Sequence, residues 1–131
     1  MSKLKMIHIT TDEETFPLEA QACFIGNDLL VSIWGGEKPH IGATAAAQPR
    51  PSLTNEPGKI SATSSVLTYL GHKEDRIVKM ASESLASVLN TNVVVTAGIH
   101  WDGLNADAIE IIWNHCLELV DKLQDQLTRE Q

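Results

Sequence analysis

The sequence has little of what marks a membrane, secreted or nucleic-acid-binding protein. It contains only two cysteines, Cys23 and Cys116, and no apolar run near the roughly eighteen residues of a membrane helix. Its ten basic residues are outnumbered by seventeen acidic ones, and the net charge of −7 has the wrong sign for binding nucleic acid or anionic lipid. No apolar signal-peptide region opens the chain. We therefore expect a cytoplasmic protein with buried, unpaired thiols that binds neither nucleic acid nor membrane.

Sequence motifs of several common enzyme classes are also absent. There is no Walker phosphate loop, no Gly-x-Gly-x-x-Gly fingerprint and no Gly-x-Ser-x-Gly elbow. Their absence argues against nucleotide hydrolysis, dinucleotide redox chemistry and a serine hydrolase triad, and we predict no catalytic residue. With 131 residues, of which 43% are hydrophobic, the chain has the size and composition of one folded domain, residues 1–131.

The hydrophobic pattern predicts an α/β (α+β) fold. We expect a mostly antiparallel sheet of about six strands backed by two helices, of which the C-terminal one is long. Alternation and β-branched runs predict strands at residues 4–9, 18–25, 29–34, 41–48, 60–70 and 93–99. Apolar residues spaced three and four apart predict helices over residues 75–90 and 105–127.

Three local signals refine this prediction. The Gly-Asn-Asp sequence at residues 26–28 accepts the positive φ angles of a tight turn and predicts a hairpin. Pro49 and Pro51 exclude a central strand at their positions and leave residues 48–58 as a loop. The three consecutive valines at residues 93–95 are typical of a strand in the middle of a sheet that is buried on both faces.

Polar strings that contain a histidine stand where predicted strands begin or end. His40 lies in Pro-His-Ile-Gly-Ala, His72 in Gly-His-Lys-Glu-Asp and His100 in Gly-Ile-His-Trp-Asp. Ligands of α/β sheets gather beyond strand ends and near helix N-termini, so these loops form the candidate site. Together with Asp75 or Asp102, the histidines have the atoms that a metal site requires. The plainer interpretation is that each imidazole hydrogen-bonds to the backbone of its own loop.

An anion site is the interpretation that uses most of the loop residues. Arg50 and Lys73 bring cationic donors, Ser52 brings a hydroxyl, and Gly71 permits close approach of the backbone, as a phosphate-bearing ligand requires. The alternative is that both cations are simply solvated. Trp101 lies in a polar string, so its indole is available either to stack on a flat ring or to pack in the core. Core packing is the expected role of the other two tryptophans, Trp34 and Trp113.

Four strings, taken in order, resemble the LpdD-like family of prenylated-flavin chaperones: Pro39–Ala43, Pro49–Ser52, Gly71–Asp75 and Gly98–Asp102. The resemblance runs from the hairpin through the last helix. It implies a fold similar to that of proteasome assembly chaperones, and a homodimer. Members of the family are accessory proteins of bacterial hydroxyarylic acid decarboxylase systems, in which a UbiX-like prenyltransferase makes prenylated FMN and a UbiD-like enzyme uses it. The resemblance thus implies a non-catalytic accessory protein, with a UbiD-like decarboxylase as partner and prenylated FMN or FMN as cofactor.

The resemblance also directs attention to motif positions as cofactor-binding residues, and we hypothesise their roles. In this hypothesis Arg50, His72 and Lys73 meet the phosphate of a flavin mononucleotide, while His100 and Trp101 border its ring system. The remaining motif positions are His40, Ser52, Asp75 and Asp102. Two other functions stay open at this point. One is an assembly module of the proteasome-chaperone kind that binds a protein and no small molecule, and the other is a small metal-dependent enzyme that uses the loop histidines.

Overall fold

A computed structural model describes residues 5–54, 56–69 and 74–130 of the chain. They form six strands and two helices, and the C-terminal helix is long, which confirms the predicted fold class. The elements are β1 (Met6–Thr10), β2 (Leu18–Ile25), β3 (Asp28–Gly36), β4 (Ala43–Pro51), β5 (Ile60–Thr68), α1 (Asp75–Leu89), β6 (Val93–His100) and α2 (Ala106–Glu130).

All six strands belong to one sheet with the order β1-β2-β3-β6-β4-β5. Only the β3–β6 pair is parallel, and the other neighbouring strands are antiparallel. The predicted position of β6 in the middle of the sheet is therefore confirmed. Because β6 is inserted between β3 and β4, the connection from β3 to β4 has to cross the end of β6, and this crossing positions the candidate site.

Both helices pack on the same face of the sheet. Helix α1 covers β4, β5 and β6, whereas α2 covers β1 and β2 and also contacts α1. The alternation of each strand directs its buried side chains to this side, where they form one core with the apolar stripes of the helices. Neither helix is both long and apolar enough to cross a membrane within the described residues.

The local signals at the turn and at the last helix are confirmed. Gly26 adopts a φ of 62° between β2 and β3, which pair antiparallel from Leu18 to Ile25. Asn105 caps α2, because its Oδ1 accepts a hydrogen bond from the backbone N–H of Ala108 at 2.8 Å.

The prediction that β6 is buried on both faces is wrong. Val93 and Val95 are buried under the helices, but Val94 between them is only half-buried and faces the other side of the sheet. No described element covers that side. The run of valines places apolar side chains on both faces of β6, but the described helices cover only one of these faces. We call the uncovered side of the sheet the open face.

The predicted end of the fourth strand at residue 48 is also wrong, because β4 continues to Pro51. Beyond Ala47, which pairs with Val93, β4 has β5 as its only neighbour. The nitrogens of Pro49 and Pro51 point to the side where β6 has already ended, so the missing N–H groups break no ladder hydrogen bond. Proline is tolerated in β4 because this part of the strand extends past the end of β6 and forms an edge of the sheet.

Candidate functional site

The end of the sheet at which β3 and β6 finish and β4 begins brings two of the histidine strings together. We call it the rim and define it as residues 36–42, 74 and 98–102. The β3–β4 connection crosses β6 at Gly98, where a Cβ atom would overlap the carbonyl oxygen of His40. The backbone N–H of Glu37 donates to the carbonyl oxygen of His100 at 2.8 Å. The glycine is therefore required for the backbone crossing that places His40 beside the end of β6.

Glu74 fastens the rim from the start of α1. Its carboxylate is buried, and Oε1 accepts a hydrogen bond from the backbone N–H of Ile99 at 3.3 Å. This N–H lies on the side of β6 that faces β4, but β4 begins only at Ala43. The carboxylate thus replaces the backbone acceptor that the ladder lacks at this point. Gly42 leaves the necessary space, because a Cβ there would overlap the carboxylate of Glu74.

His40 is held at both ring nitrogens. Nδ1 lies 2.8 Å from the carbonyl oxygen of Lys38, and Nε2 lies 2.9 Å from Oε1 of Glu74. A carbonyl oxygen only accepts, so Nδ1 donates to Lys38, while Nε2 lies within hydrogen-bond distance of the buried carboxylate. Both nitrogens are engaged within the chain, which favours the interpretation of His40 as an imidazole that orders its loop.

His100 and Asp102 form the solvent-facing part of the rim. His100 Nε2 lies 2.8 Å from Asp102 Oδ1, and both side chains are exposed. The hydrogen bond from His100, together with the positive charge of Lys38, lowers the pKa of Asp102 below its ordinary value. These side chains are accessible to a ligand.

Trp101 points into the protein. Its half-buried ring packs against the core and makes an edge-on contact with Phe16, at 5.1 Å between ring centroids. Phe16 is itself held by α2, because the buried His115 has Nδ1 2.9 Å from the Phe16 carbonyl oxygen. Of the two roles open to Trp101, the structure thus gives it packing between the rim and the loop before β2.

Arg50 and Ser52 lie at the opposite end of β4 from His40. At about 3.3 Å per residue, the strand separates them from the rim by some 25 Å. Arg50 donates from Nε to Oγ1 of Thr63 at 2.7 Å, and Ser52 hydrogen-bonds to Thr54. They do not share a site with His40 and His100. The other two residues of the hypothesised phosphate site, His72 and Lys73, lie outside the described residues.

Three side chains on the open face form a cluster that the sequence motifs do not predict. Glu19 accepts a hydrogen bond from Trp34 Nε1 at 3.1 Å and lies 2.9 Å from His8 Nε2, while the indole and imidazole rings stack at 6.0 Å. The expectation that Trp34 packs in the core is wrong, because it is half-buried on this uncovered side. Trp113 also lies at the surface, half-buried with the guanidinium of Arg76 over its ring.

The open face carries a row of cross-strand neighbours that is apolar on five strands and ends in a serine on β5, and we call it the apolar row. Each member is the direct cross-strand neighbour of the next: Met6, Cys23, Leu30, Val94, Ala46 and Ser65. Leu30, near the middle of this row, is 38% exposed. The parallel row beside it is largely polar and uncharged, and consists of His8, Gln21, Ser32, Thr96, Thr44 and Leu67. A face with so few charges in a chain of net charge −7 is typical of a protein contact surface.

The described residues offer no set of metal ligands. Within them, no three His, Cys, Asp or Glu side chains lie where they would hold a metal ion. The metal-dependent enzyme therefore has no supporting geometry in this part of the chain.

Comparison with known proteins extends these observations. Residues 12–128 match the model of the family described as prenylated flavin chaperone LpdD-like domain. Protein LpdD of Lactiplantibacillus plantarum is 29% identical over 97 residues, which cover 72% of this chain and 65% of that protein. A solved structure, a chaperone complex for yeast 20S proteasome assembly, has a TM-score of 0.55 at 21% identity and covers 97% of both chains. At that identity the structural likeness concerns the fold alone.

Proposed function

Since this chain belongs to the prenylated flavin chaperone LpdD-like family, we propose that it is a non-catalytic accessory protein of a UbiD-like decarboxylase. The family match confirms the resemblance found in the sequence motifs. We propose further that the chain works in the cytoplasm and assists either the handling of prenylated FMN or the maturation of the decarboxylase. The single observation that carries this proposal is the family match over residues 12–128, and the uncovered open face is consistent with it.

We also propose that two copies pair through their open faces. Six strands about 4.8 Å apart and roughly seven residues long present a face of about 650 Å². A stable interface of standard size buries about 800 Å² per partner, so the face has the dimensions that such a dimer needs. Charge repulsion between two chains of net charge −7 is weakest where the surface itself carries few charges. Stacked sheets then place the helices on the two outer sides.

Prenylated FMN or FMN, in this proposal, meets the rim as transient cargo. His100 and Lys38 offer hydrogen-bond donors to a phosphate, but Asp102 and Glu37 stand beside them. This mixture of positive and negative side chains suits brief contact better than tight binding of a phosphate. Arg50 is too far away to add its positive charge to the rim. Residues His40 and Trp101 support the rim through their internal contacts.

The direct test of the function is a co-expression experiment. A UbiD-like decarboxylase and a flavin prenyltransferase are produced with and without this chain, and the flavin content and turnover of the purified decarboxylase are measured. We expect a larger fraction of active, cofactor-loaded decarboxylase in the presence of the chain, and no turnover by the chain alone. Equal loading with and without the chain would contradict the accessory role.

Flavin contact at the rim has a separate test. The purified chain is titrated with FMN and with prenylated FMN while the flavin fluorescence is followed. We expect weak binding that His100→Ala reduces and that Arg50→Ala, a change at the opposite end of β4 from the rim, leaves unchanged. The absence of binding at high micromolar flavin would reject cargo contact at the rim. It would favour the second candidate, an assembly module without a small-molecule ligand. The many internal contacts of the rim support this candidate, because they occupy groups that a ligand would need.

A further inference from the structure

The two edges of the sheet differ in how they are protected. Strand β1 has five residues, and Lys122 of α2 donates from Nζ to the carbonyl oxygen of Thr10 at 2.8 Å on its outer side. Strand β5 has nine residues, among them neither a charged residue nor a proline, and no described strand pairs with its outer edge. Natural sheets usually protect long edges with charges, prolines or covering elements, so an unprotected edge of this length indicates a site for another strand.

The pairing with β4 fixes which backbone groups of β5 point outward. The N–H of Tyr69 donates to the carbonyl oxygen of Gly42, and the carbonyl oxygen of Lys59 accepts from the N–H of Ser52, both at 2.8 Å. Odd-numbered residues of β5 therefore hydrogen-bond to β4, and even-numbered residues present their N–H and C=O to the outside. The outward-facing residues are Ile60, Ala62, Ser64, Val66 and Thr68.

The two ends of this edge differ in chemistry. At the rim end, Leu67 is 71% and Tyr69 60% exposed, an apolar pair that no described residue covers. At the other end lie two cationic side chains, Lys59 and Arg50, of which Lys59 is half exposed. Two carboxylates lie nearby: Glu56 forms an exposed ion pair with Lys59 at 3.3 Å, and Glu83 is held by Lys79 and by Ser64 Oγ, so Arg50 is the cation without a carboxylate partner among the ion pairs of the described residues. The edge thus favours an extended strand that is apolar at one end and acidic at the other.

We infer that the outer edge of β5 binds an extended segment of the partner protein as a seventh strand, with its acidic end beside Lys59 and Arg50 and its apolar end beside Leu67 and Tyr69. The inference rests on the proposed function, because the partner is the decarboxylase that the chain assists. Strand addition uses backbone groups at the side of the sheet and reaches the open face only through side chains of β4 and β5, so the rest of that face stays available to a second copy. It also gives Arg50, which the rim does not use, a contact of its own.

The test uses a proline that removes one outward-facing N–H. Proline at residue 66 leaves the β4 ladder intact, because the N–H of Val66 points away from β4. We expect Val66→Pro to weaken the complex with the UbiD-like decarboxylase at least about tenfold, whereas Val66→Ala, which keeps the N–H, changes the affinity little. The affinities are measured by biolayer interferometry, and circular dichroism verifies that both variants are folded.

Hydrogen exchange on the unaltered proteins tests the same point without a substitution. The amides of Ala62, Ser64 and Val66 should exchange fast in the chain alone and become protected in the complex, while those of Ser61 and Thr63 are protected in both. The strand addition would be overturned if the three amides stayed unprotected in the complex, or if Val66→Pro left the complex intact. Neither result would contradict the accessory function. Absence of any complex with the unaltered chain would overturn both. A chain that Val66→Pro converts from dimer to monomer would show that a second copy occupies the edge.

Discussion

The two faces of the sheet are built from alternate residues of the same strands, yet helices cover only one of them in the described residues. On β6, Val95 is fully buried under α1, whereas its neighbour Val94 is half-buried in the apolar row of the open face. The covered face provides the core on which folding depends. The open face repeats apolar residues across five strands, and no described element covers them. The difference teaches that this fold needs one sheet face for its own stability and leaves the other uncovered, which is the basis of the proposed association.

The largest expected effect comes from placing a charge on each face in turn. Val95→Asp buries a carboxylate with no partner, and we expect a loss of about 4 kcal/mol or more in the free energy of unfolding, enough to unfold much of the protein. Val94→Asp, one residue away, should cost about 1 kcal/mol, because its carboxylate stays in contact with water. Urea unfolding followed by circular dichroism measures both. Equal losses would show that the two faces are not different in burial.

The rim depends on the absence of a side chain where the β3–β4 connection crosses β6. Gly98→Ala should lower the free energy of unfolding by about 3 kcal/mol, since its Cβ would overlap the backbone of His40 and backbone yields little. Gly103→Ala is the control: no described atom lies near its Cβ, so only its φ of +68° resists the change, at about 1 kcal/mol. Thermal or urea unfolding compares the two variants. A Gly98→Ala protein as stable as the control would contradict the crossing.

The buried carboxylate at the rim has a smaller expected effect. Glu74→Gln removes the charge beside His40 but keeps an oxygen for the N–H of Ile99, and we expect a loss of about 1–2 kcal/mol in the free energy of unfolding. Glu37→Gln, an exposed change on the same connection, should have no measurable effect. If both variants unfold at the same urea concentration, Glu74 does not fasten the rim.

The buried thiol of Cys116 makes the stability of the folded chain depend on pH. Burial raises the pKa of Cys116 to about 12 from an ordinary value of 9.0. The unfolded chain therefore loses this proton at a lower pH than the folded one, and stability falls as pH rises above 9, with no contribution at pH 7. Cys116→Ala should flatten that alkaline decline. An unchanged slope of stability between pH 9 and 10.5 would reject the assignment.

The smallest effect is expected at the solvent-facing pair of the rim. Because His100 and Lys38 lower the pKa of Asp102, this carboxylate stabilises the folded state above its ordinary pKa, and the contribution disappears as pH falls through its lowered value. Asp102→Asn should leave stability at pH 7 nearly unchanged, since the group is exposed, and should slightly reduce the acid-induced loss. NMR titration of the Asp102 carboxyl measures the pKa directly, and an ordinary value would contradict the contact.

Much of the fold could be predicted from the sequence, because periodicity reports which residues share a side of a helix or strand. The hairpin, both helices and the central position of β6 followed from such local signals. Periodicity does not reveal whether a partner layer covers an apolar side, so the second face of β6 and the environment of Trp34 were predicted wrongly. The continuation of β4 through Pro49 depends on where β6 ends, which is a property of the sheet and not of β4 itself.

The candidate site was predictable only in part for a related reason. The strings that contain His40 and His100 lie side by side because β6 is inserted beside β4, and no residue in these strings specifies that insertion. Arg50 lies in a motif close to His40 in sequence, but an extended strand carries it to the far end of the sheet. Glu74 stood within one of the quoted strings, and its position directly before an amphipathic helix was the one signal that pointed to it. Its burial follows from the glycine at residue 42, which local patterns do not connect with it.

The uncovered face as a docking surface for a second copy is the central claim, and sedimentation equilibrium tests it most directly. At micromolar concentration the unaltered chain should be a dimer, Leu30→Glu should be a folded monomer, and Ile111→Glu, an equally exposed change on α2, should remain a dimer. A monomeric unaltered chain, or a Leu30→Glu protein that stays dimeric, would contradict the account.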